Sequence, residues 1–220
     1  MQRIPEPEVM DTPERAEAYA RTDFSEVNEA FTKKLLSLAG DRPRCLALDL
    51  GAGPGDIPLR IQRRRPGWRI FAADASLPML RFARTTARTG SGPTPLFTQA
   101  DAKQLPFENA SIEIVFSNSI LHHLPDPIPF WREIRRIAKP GALVFVRDLF
   151  RPPTATDAQR LVDTYAAGEH PLLREDFYNS FLAAFTPEEI RGQLVASGLS
   201  RLDVVEVTDR HVDIIGVKSE

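Results

Sequence analysis

Residues 48–61 read LDLGAGPGDIPLRI and place three glycines and a proline between an apolar run and a helical pattern. The apolar run, which begins at Cys45, has the composition of a strand buried on both faces. A glycine-rich turn between a parallel strand and a helix lets a ligand approach bare backbone at the carboxyl end of a sheet. The stretch therefore predicts a nucleotide-type binding loop.

The rest of the chain continues this alternation of strands and helices, which predicts a parallel sheet flanked by helices. Further strands are predicted at WRIFAAD (68–74), at about 95–101, at IEIVFSN (112–118) and at ALVFVRD (142–148). Helical patterns cover about 24–38, the segment after the glycines, a segment starting near Ser76, and WREIRRIAKPG (131–141), which we expect to end at Gly141. The runs LDVVEVT (202–208) and HVDIIGVK (211–218) predict a final antiparallel hairpin.

Composition limits the class of protein and its partners. A chain of 220 residues, 42% hydrophobic, with a formal net charge of -2, suits one globular domain and gives no general electrostatic reason to bind nucleic acid or acidic membranes. Its single cysteine, Cys45, excludes an internal disulfide and fits a reducing compartment. The start lacks the basic-then-apolar order of a secretory signal, and no apolar run approaches a membrane span. We expect a cytoplasmic protein without membrane insertion.

Four successive predicted strands end in short polar or glycine-rich elements on one side of the sheet. Asp74 ends the second strand, where a carboxylate can accept both hydroxyls of a ribose or cap the following helix. Asp101 ends the third strand and precedes Ala102, so a carboxylate and an unobstructed backbone N–H match the edge of an adenine. Asn118 ends the fourth strand. Together with the glycine loop, these strand ends predict one nucleoside site.

Over roughly residues 45–148, these motifs resemble the class I S-adenosylmethionine-dependent methyltransferases, particularly the bacterial small-molecule branch that includes quinone-biosynthesis methyltransferases. LDLGAGPG resembles the first motif of that family, FAADASLPML the second and QADAKQLPF the third, while IEIVFSNSILHHLPDP and EIRRIAKPGALVFV resemble its later core. The resemblance implies an enzyme that transfers a methyl group from S-adenosylmethionine to a small-molecule acceptor by direct displacement, leaving S-adenosylhomocysteine.

The fold expected from the elements and the resemblance is a Rossmann-like α/β domain. Its doubly wound, seven-stranded, mostly parallel sheet ends in the antiparallel hairpin. We expect an N-terminal helical lid (1–40), a cofactor-binding core (41–150), a helical cap after the fifth strand (151–185), and a final helix with the hairpin (186–220).

The resemblance also implies roles for individual residues. Asp74 would bind the ribose, Asp101 and Ala102 the adenine, and Asn118 would lie beneath the donor near the transfer site. Residues 120–123 would line the pocket, and Tyr19 would fold over it. The cofactor-binding residues implied in this way are Asp49, Gly51, Ala52, Gly53, Gly55, Asp74, Ala75, Asp101, Ala102 and Asn118.

Two other functions stay open. An NAD(P)-dependent oxidoreductase also has glycines after a strand, but here Asp56 occupies the position of the third glycine, where a carboxylate would repel a pyrophosphate. The same carboxylate is compatible with a sulfonium and an ammonium group. A noncatalytic S-adenosylmethionine-binding module would keep the glycines and Asp74, whereas Asn118 and an aromatic cap favour catalysis.

No catalytic group is assigned firmly. If the acceptor is a hydroxyl or thiol, His122 or His123 can act as a general base, with Tyr19 as a further candidate. Two adjacent histidines cannot both point into one pocket, so a structural role is favoured. No metal is expected, because the four histidines His122, His123, His170 and His211 lack carboxylate or cysteine partners at a recognisable ligand spacing.

Several candidate residues for binding the methyl acceptor lie in the predicted cap. Its aromatic residues can enclose a small, partly apolar acceptor, although packing between helices explains them equally well. Arginines near the fifth strand and in the cap, Arg147, Arg151 and Arg174, can bind an anionic group, although surface ion pairs are their commoner fate. A nucleic-acid acceptor is not expected, because SNSI (117–120) stands where an NPPY-like signature would lie. The acceptor-binding candidates are Tyr19, His122, Arg147, Tyr178 and Phe181, while the acceptor, its reacting atom and the oligomeric state stay open.

Overall fold

A computed structural model describes residues 1–9, 12–90 and 92–219. Within these residues the chain forms a seven-stranded sheet with the order β3-β2-β1-β4-β5-β7-β6. The strands are β1 (Cys45–Leu50), β2 (Trp68–Asp74), β3 (Leu96–Gln99), β4 (Ile112–Asn118), β5 (Ala138–Leu149), β6 (Asp203–Glu206) and β7 (His211–Val217). Strands β1 to β5 pair in parallel, and β7 pairs antiparallel with both β5 and β6. The expected doubly wound sheet with its antiparallel hairpin is confirmed.

Helices cover both faces of the sheet, and the central strands β1 and β4 are buried or half-buried along their whole length. The helices of the described chain are α1 (Pro13–Arg21), α2 (Ser25–Ala39), α3 (Asp56–Arg64), α4 (Leu77–Thr89), α5 (Ile128–Ile137), α6 (Ala155–Tyr165), α7 (Pro171–Ala183) and α8 (Pro187–Ala196). Phe31 and Leu35 of α2 pack on one face, and Phe130 and Trp131 of α5 pack on the other. None of these helices combines the length and apolar composition needed to cross a membrane.

The order in which successive strands are added to the sheet reverses next to β1. Strand β1 lies between β2 and β4, so the connections after β1 and after β4 leave the sheet on opposite faces. Doubly wound folds bind ligands in the crevice outside the carboxyl ends of the strands at such a point. The glycine loop therefore lies where the fold places its ligand site.

The segment around Gly141 corrects one expectation. We expected a helix over 131–141 that stops at Gly141, but α5 ends at Ile137 and β5 begins at Ala138. The ladder between β4 and β5 steps from Ile112 opposite Ala138 to Ile114 opposite Leu143, so the intervening residues form a bulge. Gly141 has a φ of 80° there, and its N–H donates to the carbonyl of Lys218 at 2.9 Å. Glycine and proline are both tolerated at bulges.

The N-terminal region contains the helices α1 and α2, and a non-helical segment precedes them. Residues 1–9 form this segment, which lies across the loop after β4 and the end of α7. The Arg3 guanidinium donates to the carbonyls of Leu124 at 2.8 Å, His122 at 3.1 Å and Ala183 at 2.5 Å. These contacts fasten the segment to the core.

Helices α6 and α7 form the expected cap, which has a hydrophobic cluster of its own. Phe181 is fully buried in it and contacts Phe177, with ring centroids 4.6 Å apart. Leu149 at the end of β5 belongs to the same cluster, so the cap packs directly on the sheet. Phe181 is therefore an internal packing residue of the cap.

Replacing Phe181 with alanine should lower the free energy of unfolding by about 3–5 kcal/mol, because it removes a buried aromatic ring and leaves a cavity. Urea unfolding followed by circular dichroism measures this loss. Leu172→Ala is the matched control in the same helix, since Leu172 is 53% exposed and its loss should change stability by no more than about 0.5 kcal/mol. Equal losses in the two variants would contradict the assignment.

Candidate active site

The loop after β1 is held in a fixed shape by backbone hydrogen bonds. The N–H groups of Gly51 and Ala52 both donate to the carbonyl of Ala73 in β2, at 2.9 and 3.0 Å. Gly51, Gly53 and Gly55 have φ values of 72°, 54° and 83°, in the left-handed region that glycine adopts at little cost. The sequence thus supplies glycine at each turn that requires it.

The three glycines face different surroundings. A Cβ at Gly51 would lie 2.9 Å from Cδ1 of Ile120, and one at Gly55 would lie 2.9 Å from Cβ of Ala83. These two positions are small because neighbouring residues pack against them. A Cβ at Gly53 would meet nothing within 4 Å, so bare backbone at Gly53 faces open space. Gly53 is therefore the position at which a ligand can reach the loop.

Asp74 at the end of β2 joins the loop to the next helix. Its carboxylate accepts the N–H of Gly53 at 2.7 Å and the N–H of Ser76 at 2.8 Å. The Ser76 hydroxyl then accepts the N–H of Met79 and caps α4. The carbonyl of Ala75 accepts from the side-chain amide of Gln99 at 3.1 Å. Helix capping was one of two alternatives for Asp74, but its neighbour Ser76 caps α4. Asp74 instead fixes the shape of the loop after β1.

Asp49 is a buried carboxylate in β1, only 2% exposed. Burial raises its pKa well above the usual value, and the nearby Asp74 raises it further. Among the described residues, burial and the charge of Asp74 cause this pKa shift, and no hydrogen bond to the carboxylate offsets it. A buried ionised group without a partner is costly, so the site favours either a proton or a cationic ligand at Asp49.

Asp101 and Ala102 lie at the rim after β3. One carboxylate oxygen of Asp101 accepts the N–H of Lys103 at 2.8 Å and lies 3.0 Å from its ammonium group. Lys103 also forms an ion pair with Glu8 of the N-terminal segment. Asp101 remains exposed and Ala102 is buried. A carboxylate and a small residue thus stand together at this edge, as the sequence predicts.

The end of β4 carries local backbone strain. Asn118 is partly buried opposite Arg147 of β5, and the next residue, Ser119, has a φ of 63°. The N–H of Ser119 donates to the carbonyl of Arg147 at 2.8 Å, which holds this conformation. Non-glycine residues with positive φ cluster at functional sites. The sequence pattern singled out Asn118 but not Ser119.

His122 follows in a short 3-10 turn (Leu121–His123) and is buried. Its Nδ1 lies 2.5 Å from the carboxylate of Asp148, and its Nε2 lies 3.4 Å from the carboxylate of Glu6. Burial lowers the pKa of His122, but the attraction of Asp148 outweighs it, so the net shift is upward. His123, 20% exposed, lies 3.0 Å from Glu6. Both histidines therefore face carboxylates of this chain.

Tyr19 of α1 is partly buried, and its ring packs on Phe24 with centroids 4.8 Å apart. Burial raises the pKa of Tyr19 to about 12, and the carboxylates of Asp74 and Asp148 raise it as well. Those carboxylates end β2 and lie near the end of β5, so Tyr19 lies near the carboxyl edge of the sheet. That it folds over a bound donor stays a prediction.

The three arginines considered as anion-binding groups already have carboxylate partners. Arg147 forms two hydrogen bonds with the fully buried Asp213, at 2.5 and 2.7 Å. Arg151 donates to Glu189 at 2.6 Å, and Arg174 donates to Asp163 at 2.6 Å. The structure thus places these arginines in internal ion pairs. Of the two aromatic candidates, Phe181 is fully buried, whereas Tyr178 is only partly buried at the edge of the cap cluster.

Two residues of this region were missed by sequence reasoning. Asp148 near the end of β5 accepts the N–H groups of Leu121 at 2.5 Å and Leu149 at 2.7 Å besides contacting His122. It repeats the pattern of a carboxylate closing an apolar strand, so that signal was present. Glu6 has no such signal, because its contacts depend on how the N-terminal segment folds back.

Comparison with known proteins shows which family this part of the chain resembles. Residues 48–146 match the family model described as "Methyltransferase domain". The chain is 30% identical over 125 residues to malonyl-[acyl-carrier protein] O-methyltransferase from Xylella fastidiosa, a match covering 57% of this chain and 41% of that protein. It is 31% identical over 121 residues to demethylmenaquinone methyltransferase from Thermus thermophilus, covering 55% and 54%.

The fold matches a solved structure over nearly its whole length. The crystal structure of a SAM-dependent methyltransferase from Aquifex aeolicus superposes with a TM-score of 0.72 at 17% identity, covering 94% of this chain and 98% of that one. The chain spans about half, or less, of the length of the two curated relatives above. Residues 48–146, slightly less than half of the chain, match the methyltransferase family model, and the chain has the fold of the Aquifex aeolicus protein.

Replacing Asp49 with asparagine should stabilise the ligand-free protein at neutral pH, because asparagine has no charge to bury. The folded state holds the Asp49 proton to a higher pH than the unfolded state does. The wild type therefore loses stability as pH rises above about 4 through the raised pKa, and the variant does not. Urea unfolding from pH 4 to pH 8 should show the gap between the two proteins widening; a gap independent of pH would refute this assignment.

Proposed function

We propose that this chain is an S-adenosylmethionine-dependent methyltransferase that acts on a small-molecule acceptor. The observation that carries the proposal is the buried carboxylate of Asp49 beside the open backbone of Gly53, at the crevice of a methyltransferase-family domain. The carboxylate favours a cation, and the open backbone admits a ligand. A ligand that is cationic at its methionine end satisfies both conditions.

The residues of the crevice fit the other parts of that donor. Asp74 ends β2 beside Gly53, and its carboxylate is the type of group that accepts hydrogen bonds from ribose hydroxyls. Asp101 and Ala102 stand at the next strand end, where an adenine edge would meet them. Asn118 and the strained Ser119 border the point of transfer.

Bound S-adenosylmethionine supplies an electrophilic methyl group, so this chain need not provide a covalent nucleophile. Its one cysteine is unsuited to that role, because burial raises the pKa of Cys45 to about 12 and Glu113 adds to the shift. The role we assign to the protein is alignment of the acceptor with the methyl group. Alignment alone can account for a large part of the reduction in the activation barrier of a displacement.

The candidate bases are engaged in other contacts. Asp148 and Glu6 face the two ring nitrogens of His122, so the ring holds the loop after β4 and is not free to take a proton from an acceptor. With a pKa raised to about 12, Tyr19 keeps its proton at neutral pH and acts as a hydrogen-bond donor above the crevice. The proposal therefore assigns positioning, and no general base, to these residues.

The acceptor lies under the cap in this proposal. Residues 151–185 bring a hydrophobic cluster to the end of β5, with Tyr178 at its edge, and this surface suits a small, partly apolar acceptor. Two relatives are named for demethylmenaquinone and for a malonyl thioester, which are small or carry a small reactive group. We infer a small molecule in the cytoplasm, and not nucleic acid, consistent with a net charge of -2.

An NAD(P)-dependent oxidoreductase is disfavoured by the first residue of α3. Asp56 stands at this helix N-terminus and accepts from Arg60 at 2.7 Å and from Asn28 at 2.9 Å. A pyrophosphate in this fold would lie against the same helix end, where the carboxylate repels it. A noncatalytic module would bind the donor equally well, and only an assay of transfer separates it from an enzyme.

The substitution Gly53→Ala should weaken donor binding at least tenfold, about 1.4 kcal/mol, because the new Cβ enters the open space that the ligand would occupy. Gly141→Ala is the matched control, since Gly141 also has positive φ and open surroundings but lies at the opposite end of the sheet. Both variants should lose about 1–2 kcal/mol of stability from strain. Calorimetry with S-adenosylmethionine should separate them; equal affinities would place the donor elsewhere.

Transfer itself is tested with methyl-labelled S-adenosylmethionine and two acceptors, a short-chain demethylmenaquinone and a malonyl thioester, followed by fractionated metabolite extract. We expect label in a small molecule and formation of S-adenosylhomocysteine. Donor binding without transfer to any acceptor would favour the noncatalytic module. Binding of NAD(P) in place of the donor would overturn the proposal.

A further inference from the structure

A group of three side chains beside the crevice has contacts that the proposed transfer does not explain. Glu6, His122 and His123, which we call the histidine cluster, each offer one ligand atom, and these atoms all lie within 4.8 Å of one another. The carboxylate of Glu6 is 3.4 Å from Nε2 of His122 and 3.0 Å from Nδ1 of His123. Two residues come from the loop after β4 and one comes from the N-terminal segment.

The contact with Asp148 fixes how His122 presents its ring. Asp148 lies 2.5 Å from Nδ1 and, as a carboxylate, can only accept, so Nδ1 carries the proton. Nε2 faces the Glu6 carboxylate at 3.4 Å. A neutral ring would direct a lone pair at that carboxylate, so the contact requires a cation, either a proton on Nε2 or a metal ion between the two atoms.

In the part of the chain that the structure describes, His123 also has a ring nitrogen without a hydrogen-bond partner. Its Nδ1 is buried and has no hydrogen-bond partner of acceptable geometry among the described residues, although the Glu6 carboxylate is 3.0 Å away. Buried ring nitrogens are normally satisfied, so this atom calls for a partner at a different angle from the carboxylate. A single cation placed between the three donor atoms would satisfy both histidines and Glu6 together.

We propose that the histidine cluster binds a divalent transition-metal ion, with zinc as the best fit. Bonds of 2.0–2.1 Å to a tetrahedral Zn²⁺ separate neighbouring ligand atoms by about 3.3 Å. The two separations to Glu6 are 3.0 and 3.4 Å, and all three donor atoms lie within 4.8 Å of one another. Two imidazoles and one carboxylate are a donor set that zinc accepts while keeping a fourth position open. Asp148 supplies the carboxylate that typically orients a metal-binding histidine from behind.

The surrounding structure holds Glu6 in place for this role. Arg3 donates to the carbonyls of His122 and Leu124, and the N–H of Ile4 donates to the carbonyl of Leu182 at 2.9 Å. The segment that carries Glu6 is therefore fixed beside the loop that carries the histidines. A bound metal would join the N-terminal segment to the loop after β4. This inference goes beyond the proposed function and does not depend on it.

The test uses untagged, full-length protein freed of metal with a chelator and then titrated with Zn²⁺ alone against a chromophoric chelator. We expect one Zn²⁺ per chain. Glu6→Gln and His123→Ala should each weaken binding at least tenfold, and Asp148→Asn, which keeps an acceptor but removes the charge, should weaken it about 10–100-fold. His170→Asn is the control: it removes a histidine outside the cluster, retains an N-cap residue for α7, and should leave the affinity unchanged.

Cobalt(II) provides a second readout that a merely structural role would not move. Replacing Zn²⁺ with Co²⁺ should give the intense visible absorption of four-coordinate cobalt, and this absorption should be lost in Glu6→Gln. Circular dichroism of each metal-free variant checks that the fold is retained. Absence of Zn²⁺ binding, or binding unaffected by both Glu6→Gln and His123→Ala, would overturn the proposal and leave a proton as the cation shared by the cluster. Calorimetry with S-adenosylmethionine is scored separately, so failure here is distinct from failure of the proposed function.

Discussion

The hydrogen bond from the Gly53 N–H to the Asp74 carboxylate is the contact on which the crevice depends. Parallel strands bring their carboxyl ends to one edge, but the loops that follow them have no ladder of their own. Asp74 supplies the missing link, because it binds the loop after β1 and the start of α4 at once. The direction of the Gly53 backbone, and hence the space that a ligand can enter, follows from this one carboxylate.

Buried carboxylates recur around this edge and are balanced in different ways. Asp213 is paired with Arg147 by two hydrogen bonds, and Asp148 accepts several backbone N–H groups. At Asp49, burial and the nearby Asp74 raise the pKa. The crevice thus holds a carboxyl group that favours either a proton or a cationic ligand, at a cost in stability.

Local patterns predicted most of the fold, because strand and helix periodicity, glycine turns and capping residues act over a few positions. The boundaries of β2 and β4, the hairpin, and the glycine loop with Asp74 were all accessible in this way. The bulge at Gly141 was not, since a glycine after a helix pattern indicates a helix end unless the partner strand is known. The contacts of Glu6 and the pairing of Arg147 with Asp213 depend on segments far apart in the chain.

The position of β7 has a consequence for the order of assembly. It lies between β5 and β6 and pairs with β5 from Leu143 to Leu149, so the outer edge of β5 has no neighbour until residues 211–217 have left the ribosome. An unpaired edge of apolar sequence readily joins strands of other chains. A nascent chain that has already completed β1 to β5 therefore still depends on residues 211–217 to escape aggregation, and a stall in translation before His211 would expose that edge for as long as the stall lasts.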